Sequence, residues 1–100
     1  MIIFVDIDKT ICTESNGHYE NARPIKRNIA KINRAFDAGH TIVYCTARGA
    51  TTGINWKSLT KRQLKEWGVK YHKLMMNKPF YDLFIDDKAC SMEDLECYLS

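Results

Sequence analysis

Two short runs, IIFV at 2–5 and TIVYC at 41–45, constrain the fold more than any other feature of the chain. Neither alternates apolar with polar residues, so neither reads as a strand with one wet face. A continuous, β-branched run of this length suits a strand covered on both faces, as in a parallel sheet. Such a sheet needs crossover helices, and helical periodicity follows each run. Pro24 suits the first position of a helix. Ile25, Ile29, Ile32 and Phe36 come next at helical spacing, and Gly39 closes the helix. A second helix runs from about Trp56 to Trp67, with Leu59, Leu64 and Trp67 inward and Gly68 as its stop. Residues 69–76, VKYHKLMM, give a third, less apolar strand, and residues 82–86, DLFID, a fourth. Ser91 with Asp94 three residues on resembles a capping box for a short last helix. Residues 11–23 form a polar loop or small flap carrying Gly17, and residues 49–55 a second loop.

Strand, helix, strand, helix, strand, strand, helix is an α/β pattern with a parallel sheet. The whole of 1–100 is expected to form a single domain around one core. One step is tight. Only about five to seven residues separate the third and fourth strands, where a parallel crossover takes about a dozen.

Composition narrows the class. With 45% hydrophobic and 27% charged residues, the chain reads as an ordinary soluble globular protein. The apolar start, MIIFV, is too short for a signal peptide or a membrane span and has no basic leader, so a cytoplasmic location without membrane attachment is expected. Cys12, Cys45, Cys90 and Cys97 show no C-x-x-C pairing and are expected to be reduced, and buried or idle. The net charge of +3 comes mostly from cations on the two helices. They read as solvated faces, with a mild pull on anionic substrates and nothing dense enough to favour duplex nucleic acid.

In open α/β sheets, sites lie at the carboxyl ends of the strands. Read in order, those ends carry Asp6 and Asp8, then Cys45-Thr46-Ala47-Arg48, then Lys78 in the link after the third strand, then Asp86-Asp87. Four carboxylates brought to one edge repel. A pair about 4 Å apart costs roughly 4 kcal/mol at an effective dielectric of about 20. A hard divalent cation among them relieves this, and Mg²⁺ accepts two carboxylates plus waters and a substrate phosphate. The set suits phosphoryl transfer. A carboxylate can attack phosphorus, Lys78 and the metal can neutralise phosphoryl oxygens, Thr46 can donate a hydrogen bond, and a second carboxyl can move the proton.

In order and spacing, DIDKT, CTAR, NKP and IDD resemble the four motifs of the haloacid dehalogenase superfamily of phosphohydrolases, over residues 2 to about 88. CTAR, NKP and FIDDKA look closest to short, capless members associated with capsular-polysaccharide or sugar-phosphate phosphatase activity. The resemblance implies a small three-layer Rossmann-like core with about four parallel strands in the order 3-2-1-4. It implies Asp6 as nucleophile and metal ligand, and Asp8 as general acid/base with its backbone carbonyl on the metal. Thr46 would bind the phosphoryl group, and Lys78 would steady nucleophile and phosphate. Asp86 would complete the Mg²⁺ site, with Asp87 supporting it directly or through water. The family's first motif often has glycine where this chain has Lys9, a residue more restricted in its backbone.

Larger relatives carry a cap domain, and none fits here. Residues 11–23 hold only a flap, and residues 47–77 are used up by a loop, a helix and a strand. An open site takes a macromolecular end or is roofed by a neighbouring subunit, so a homo-oligomer is compatible with it. Thr10 and Arg48 are the candidate substrate contacts, with Asn16, His18 and Tyr19 of the flap and the loop 49–57 around them. Arg48 equally suits a salt bridge to a local acid. The expected activity is that of a Mg²⁺-dependent phosphomonoesterase on a phosphorylated small molecule, a sugar phosphate of surface-polysaccharide metabolism. The alternative is a nucleotide or polynucleotide 3′-phosphatase. A non-catalytic phosphate-binding protein fits less well, because all the expected polar groups are present, and so does a receiver-like signalling module, because the acid pair Asp86-Asp87 follows Lys78 instead of preceding it.

Overall fold

The computed structural model describes residues 1–99. Its centre is a three-stranded parallel sheet in the order β1-β2-β3, made of β1 (Ile2–Asp6), β2 (Thr41–Cys45) and β3 (Lys73–Met75). Ile2 pairs with Thr41 and Asp6 with Cys45, while Val43 pairs with Lys73 and Cys45 with Met75. The carboxyl ends of all three strands therefore lie at one edge. A 3-10 helix (Tyr19–Asn21) and three α-helices complete the order among the described residues: α1 (Lys26–Asp37) between β1 and β2, α2 (Lys57–Glu66) between β2 and β3, and α3 (Leu95–Leu99) at the end.

β2 meets the both-faces expectation. It is the middle strand, and Ile42, Val43 and Tyr44 are all buried. The core gathers Val5, Ile7 and Ile11 from the first segment, Ile29, Ile32 and Ala35 from α1, Leu64 from α2 and Leu95 from α3. Fully burying a side chain of this size is worth about 1.5–3 kcal/mol. Ser91 and Asp94 precede α3 as expected, with the serine hydroxyl 3.2 Å from the Asp94 carboxylate.

Elsewhere the expected elements are trimmed. α1 begins at Lys26, not Pro24, because Pro24 pairs with Cys12 and the Ile25 amide donates to the Ile11 carbonyl. These bonds, with Thr13 and Arg23 joined in the same way, tie the base of the flap shut. β3 is shorter than 69–76 because a side chain takes a place in its ladder. His72 Nδ1 accepts the Ile42 amide, its own amide donates to the Ile42 carbonyl, and its ring stacks on Phe36 at 4.6 Å.

The fourth strand is the main correction. Residues 82–86 form no strand, and the observed order β1-β2-β3 leaves β1 as an edge in place of the expected 3-2-1-4. Leu83 and Ile85 are 78% and 88% exposed. The short link after β3 is the physical reason, since it is well below the usual length of a parallel crossover. β1 accordingly lacks cover on one side. Val5 is buried, but Ile2 and Phe4 are 72% and 60% exposed. Among the described residues, no helix is long and apolar enough to cross a membrane.

Candidate active site

Past Asp6 the chain turns sharply. The amides of Thr10 and Ile11 both donate to the Ile7 carbonyl, and the Lys9 amide donates to the Cys12 carbonyl. The turn places Lys9 at φ +67°, in the left-handed region that favours glycine. This is the position at which the motif often has glycine. Lys9 adopts the same kind of turn at a conformational cost, and its ammonium points away to Glu14 at 3.4 Å.

Asp6 is half-buried at the end of β1. Its Oδ1 accepts the Ile7 amide at 2.9 Å and faces the Lys78 ammonium at 3.6 Å. Burial pushes its carboxyl above the ordinary value, against the lowering pull of Lys78. Burial pulls the Lys78 ammonium down, but Tyr81 and the Asp6 charge outweigh it and hold the group above its usual value. Lys78 also lies 5.2 Å from the Tyr81 ring centre. Its backbone is anchored, because the Lys78 amide donates to the Thr46 carbonyl while the Thr46 amide donates to the Met75 carbonyl. The ends of β2 and β3 therefore set where the lysine begins.

Arg48 makes the salt bridge to a local acid, and it also borders the hollow between the loop 49–56 and residues 73–80. It is 3% exposed. Its Nε and one terminal nitrogen donate to the two Asp8 oxygens at 3.0 and 2.9 Å, a bidentate fork. The other terminal nitrogen donates to Thr60 Oγ1 at 3.0 Å and Gln63 Oε1 at 2.6 Å. The Tyr19 ring covers the guanidinium at 4.7 Å, and Gln63 donates back to the Tyr19 carbonyl at 2.6 Å. Asp8 is thus held by α2 and the flap together. Thr60 and Gln63 were not foreseen. The available signal was two polar residues three apart among the inward positions of α2, since buried polar groups require partners.

Thr46 is 1% exposed, and its hydroxyl accepts the Arg48 amide at 3.1 Å. That bond fixes the turn leading into Arg48. Cys12 is buried, with its thiol 3.4 Å from Asp8, and burial with the Asp8 charge pushes it up to about 12. Cys45 is partly buried, Cys90 and Cys97 are exposed, and all four cysteines are free thiols.

Two hollows meet at Lys78. One, of about 840 Å³, is lined by Asp6, Lys9, Thr10, Cys45, Lys78 and Asp86 among others. Thr10 is therefore near the site, although its backbone carbonyl is engaged by Asn28. The other is a trough of about 920 Å³ between the loop 49–56 and residues 73–80. The expected convergence of four carboxylates is not built. Among the described residues, no three of His, Cys, Asp and Glu stand together as metal ligands. Asp86 is exposed and accepts the Lys88 amide, and Asp87, also exposed, lines neither hollow.

No family model matches the chain, and no curated protein sequence matches it. Solved structures do. A structural-genomics target from Vibrio cholerae superposes with a TM-score of 0.82 at 24% identity, covering 94% of this chain and 86% of that one. A chain from the structure of a Pnkp1/Rnl/Hen1 complex superposes with a TM-score of 0.64 at 14% identity. That match covers 95% of this chain and 33% of the other, so the fold found here corresponds to about a third of that larger chain. Both likenesses concern the fold: a small α/β domain on a parallel sheet.

Proposed function

We propose that this chain is a phosphomonoesterase with Asp6 as its nucleophile. The observation that carries the reading is the Asp6 carboxylate 3.6 Å from the Lys78 ammonium, at the carboxyl end of β1 and open to a hollow. In the first step an Asp6 oxygen bonds to phosphorus, and the bond to the leaving oxygen breaks with its electron pair. Asp8 hands that oxygen a proton, a role that requires one of its oxygens to leave the Arg48 fork and carry the proton. In the second step Asp8 takes a proton from water, the water oxygen attacks phosphorus, and the Asp6 carboxylate is released. Lys78 offsets phosphoryl charge throughout. Arg48 is a positioning residue, and its fork sets which way Asp8 faces.

The residues present suit Mg²⁺ in kind. Asp6 and Asp86 line the same hollow, and two carboxylates are what an ion that keeps several waters usually takes. Asp6 and Asp86 would hold it, with Asp8 contributing its backbone carbonyl, as its side chain is engaged by Arg48. When bound, the ion would supply charge neutralisation at the phosphoryl oxygens.

As to substrate, the likeness of CTAR, NKP and FIDDKA to capless sugar-phosphate phosphatases supports a sugar phosphate. Between Thr46 and Lys78 lie only a loop, α2 and β3, with no room for a cap. A nucleotide or polynucleotide 3′-phosphatase is the second reading, favoured by the open, lysine-lined trough and by the fold shared with a chain of the Pnkp1/Rnl/Hen1 complex.

Phosphate release from 4-nitrophenyl phosphate with added Mg²⁺ tests the reading. Turnover is expected in the wild type, loss to background in Asp6→Asn with the circular-dichroism spectrum retained, and loss on adding EDTA. A wild-type rate in Asp6→Asn removes Asp6 as nucleophile, and a rate indifferent to EDTA removes the metal.

A further inference from the structure

The trough beside the site has a chemical bias. Its walls carry Trp56, Lys57, Lys73, Lys78 and Phe80, and no Asp or Glu lines it among the described residues. Some surface cations find acids, as Lys9 does with Glu14 and Lys70 with Asp37, while others, such as Lys61 and Lys65, have no acid partner among the described residues. Lys57 and Lys73 are exposed and have no ion-pair partner among the described residues. Uncompensated like charges along one concavity favour an anion there.

The wall is also rigid where Trp56 stands. Gly49 sits at φ +82°, and a Cβ there would meet the Ile54 carbonyl oxygen at 2.1 Å and the Trp56 ring at 3.3 Å. The loop closes on itself through the Gly53 amide and the Gly49 carbonyl at 2.8 Å. Trp56 packs edge-on against Tyr19 at 5.1 Å, and Tyr19 is the ring over Arg48. The trough wall is thus braced against the Asp8 support. Lys78, the ammonium that faces Asp6, also lines the trough.

We infer that the trough seats the leaving group of the substrate, and that Lys57 and Lys73 receive a second phosphate group carried on it. This rests on the phosphomonoesterase reading and adds a substrate class: a phosphomonoester whose remainder bears a further phosphate or phosphodiester. A sugar bisphosphate and a phosphorylated oligonucleotide end share that chemistry. On α2 the cations continue from Lys57 to Lys61 and Lys65, four residues apart and all exposed, a path along which a longer polyanion would run.

The experiment measures kcat/KM for 4-nitrophenyl phosphate, a sugar bisphosphate with its monophosphate, and a 3′-phosphorylated oligothymidylate with thymidine 3′-monophosphate. The variants are Lys57→Ala, Lys73→Ala and the double variant. The wild type is expected to favour the partner bearing the second phosphate in at least one pair. Each lysine variant should lower that preference roughly threefold to tenfold and leave 4-nitrophenyl phosphate unchanged. Preference in the sugar pair assigns a small bisphosphate, and preference only in the oligonucleotide pair assigns the nucleic-acid end. A double variant with the wild-type preference overturns the inference, as does a wild type that hydrolyses 4-nitrophenyl phosphate and favours neither pair. If the wild type hydrolyses nothing, the phosphatase reading fails on its own. Calorimetric binding of the same pairs to Asp6→Asn, with and without the lysine substitutions, then decides the trough. A gain for the second phosphate that the lysine variants lose supports it, and equal binding overturns it.

Discussion

Asp8 and Arg48 behave as one unit, and removing either partner exposes the cost of the other. Arg48→Ala leaves Asp8, Thr60 and Gln63 without their common donor. Breaking a buried pair in this way costs about 3–5 kcal/mol, so urea unfolding should show a loss near the lower figure, Asp8 being partly exposed. Arg48→Lys keeps the charge but not the fork. It should recover much of that stability while kcat for an aryl phosphate stays well below wild type and KM changes little. Asp6 carries the opposite balance. Its carboxyl is raised in the fold relative to the ordinary 3.8. The folded state therefore gains relative stability below that value and loses it as pH rises through the raised one. Asp6→Asn should melt a few degrees higher than wild type at neutral pH, with the gap closing as the pH falls toward 3.8. That Asp6 and Lys78 meet was legible because parallel strands bring their carboxyl ends to one edge; Asp8 and Thr46 lie at the same edge but are turned to Arg48 and line neither hollow. The partner of Arg48 was not legible, because spacing puts Arg48 near Thr46 but says nothing of which side chains face it from α2.

At the scale of elements, the loop 49–56 depends on one backbone position. Gly49→Ala meets the Ile54 carbonyl and demands a strained φ besides, so something in the loop must move. A loss of about 1–3 kcal/mol is expected in denaturant unfolding. A shift in Trp56 fluorescence should accompany it if the loop carries its tryptophan with it. Helices and the central strand were readable from periodicity and from the glycines at 39 and 68. β3 was over-long in the reading because the pattern of 69–76 cannot show that the His72 ring nitrogen, not a backbone group, accepts the Ile42 amide. DLFID has the composition of a strand, yet a strand also needs a connection long enough to bring it alongside, and the link after β3 is short.

For the molecule as a whole, the core is a single cluster around β2, and the margin beyond β1 contributes little to it. Ile85 separates the two pictures. As an interior residue of a fourth strand, Ile85→Ala would cost about 2–5 kcal/mol. At 88% exposure it should change the unfolding free energy by no more than about 0.5 kcal/mol. The open margin also has a mechanical consequence. Among the described residues β1 has a partner on one side only, so alternate amides of the strand bearing Asp6 have no ladder bond and should exchange with solvent deuterium well before those of β2. Lys78, by contrast, is fastened through Thr46 to the end of the middle strand. Opening at this margin therefore carries the Asp6 backbone away from the segment that bears Lys78, and the separation of the two is what such an opening changes.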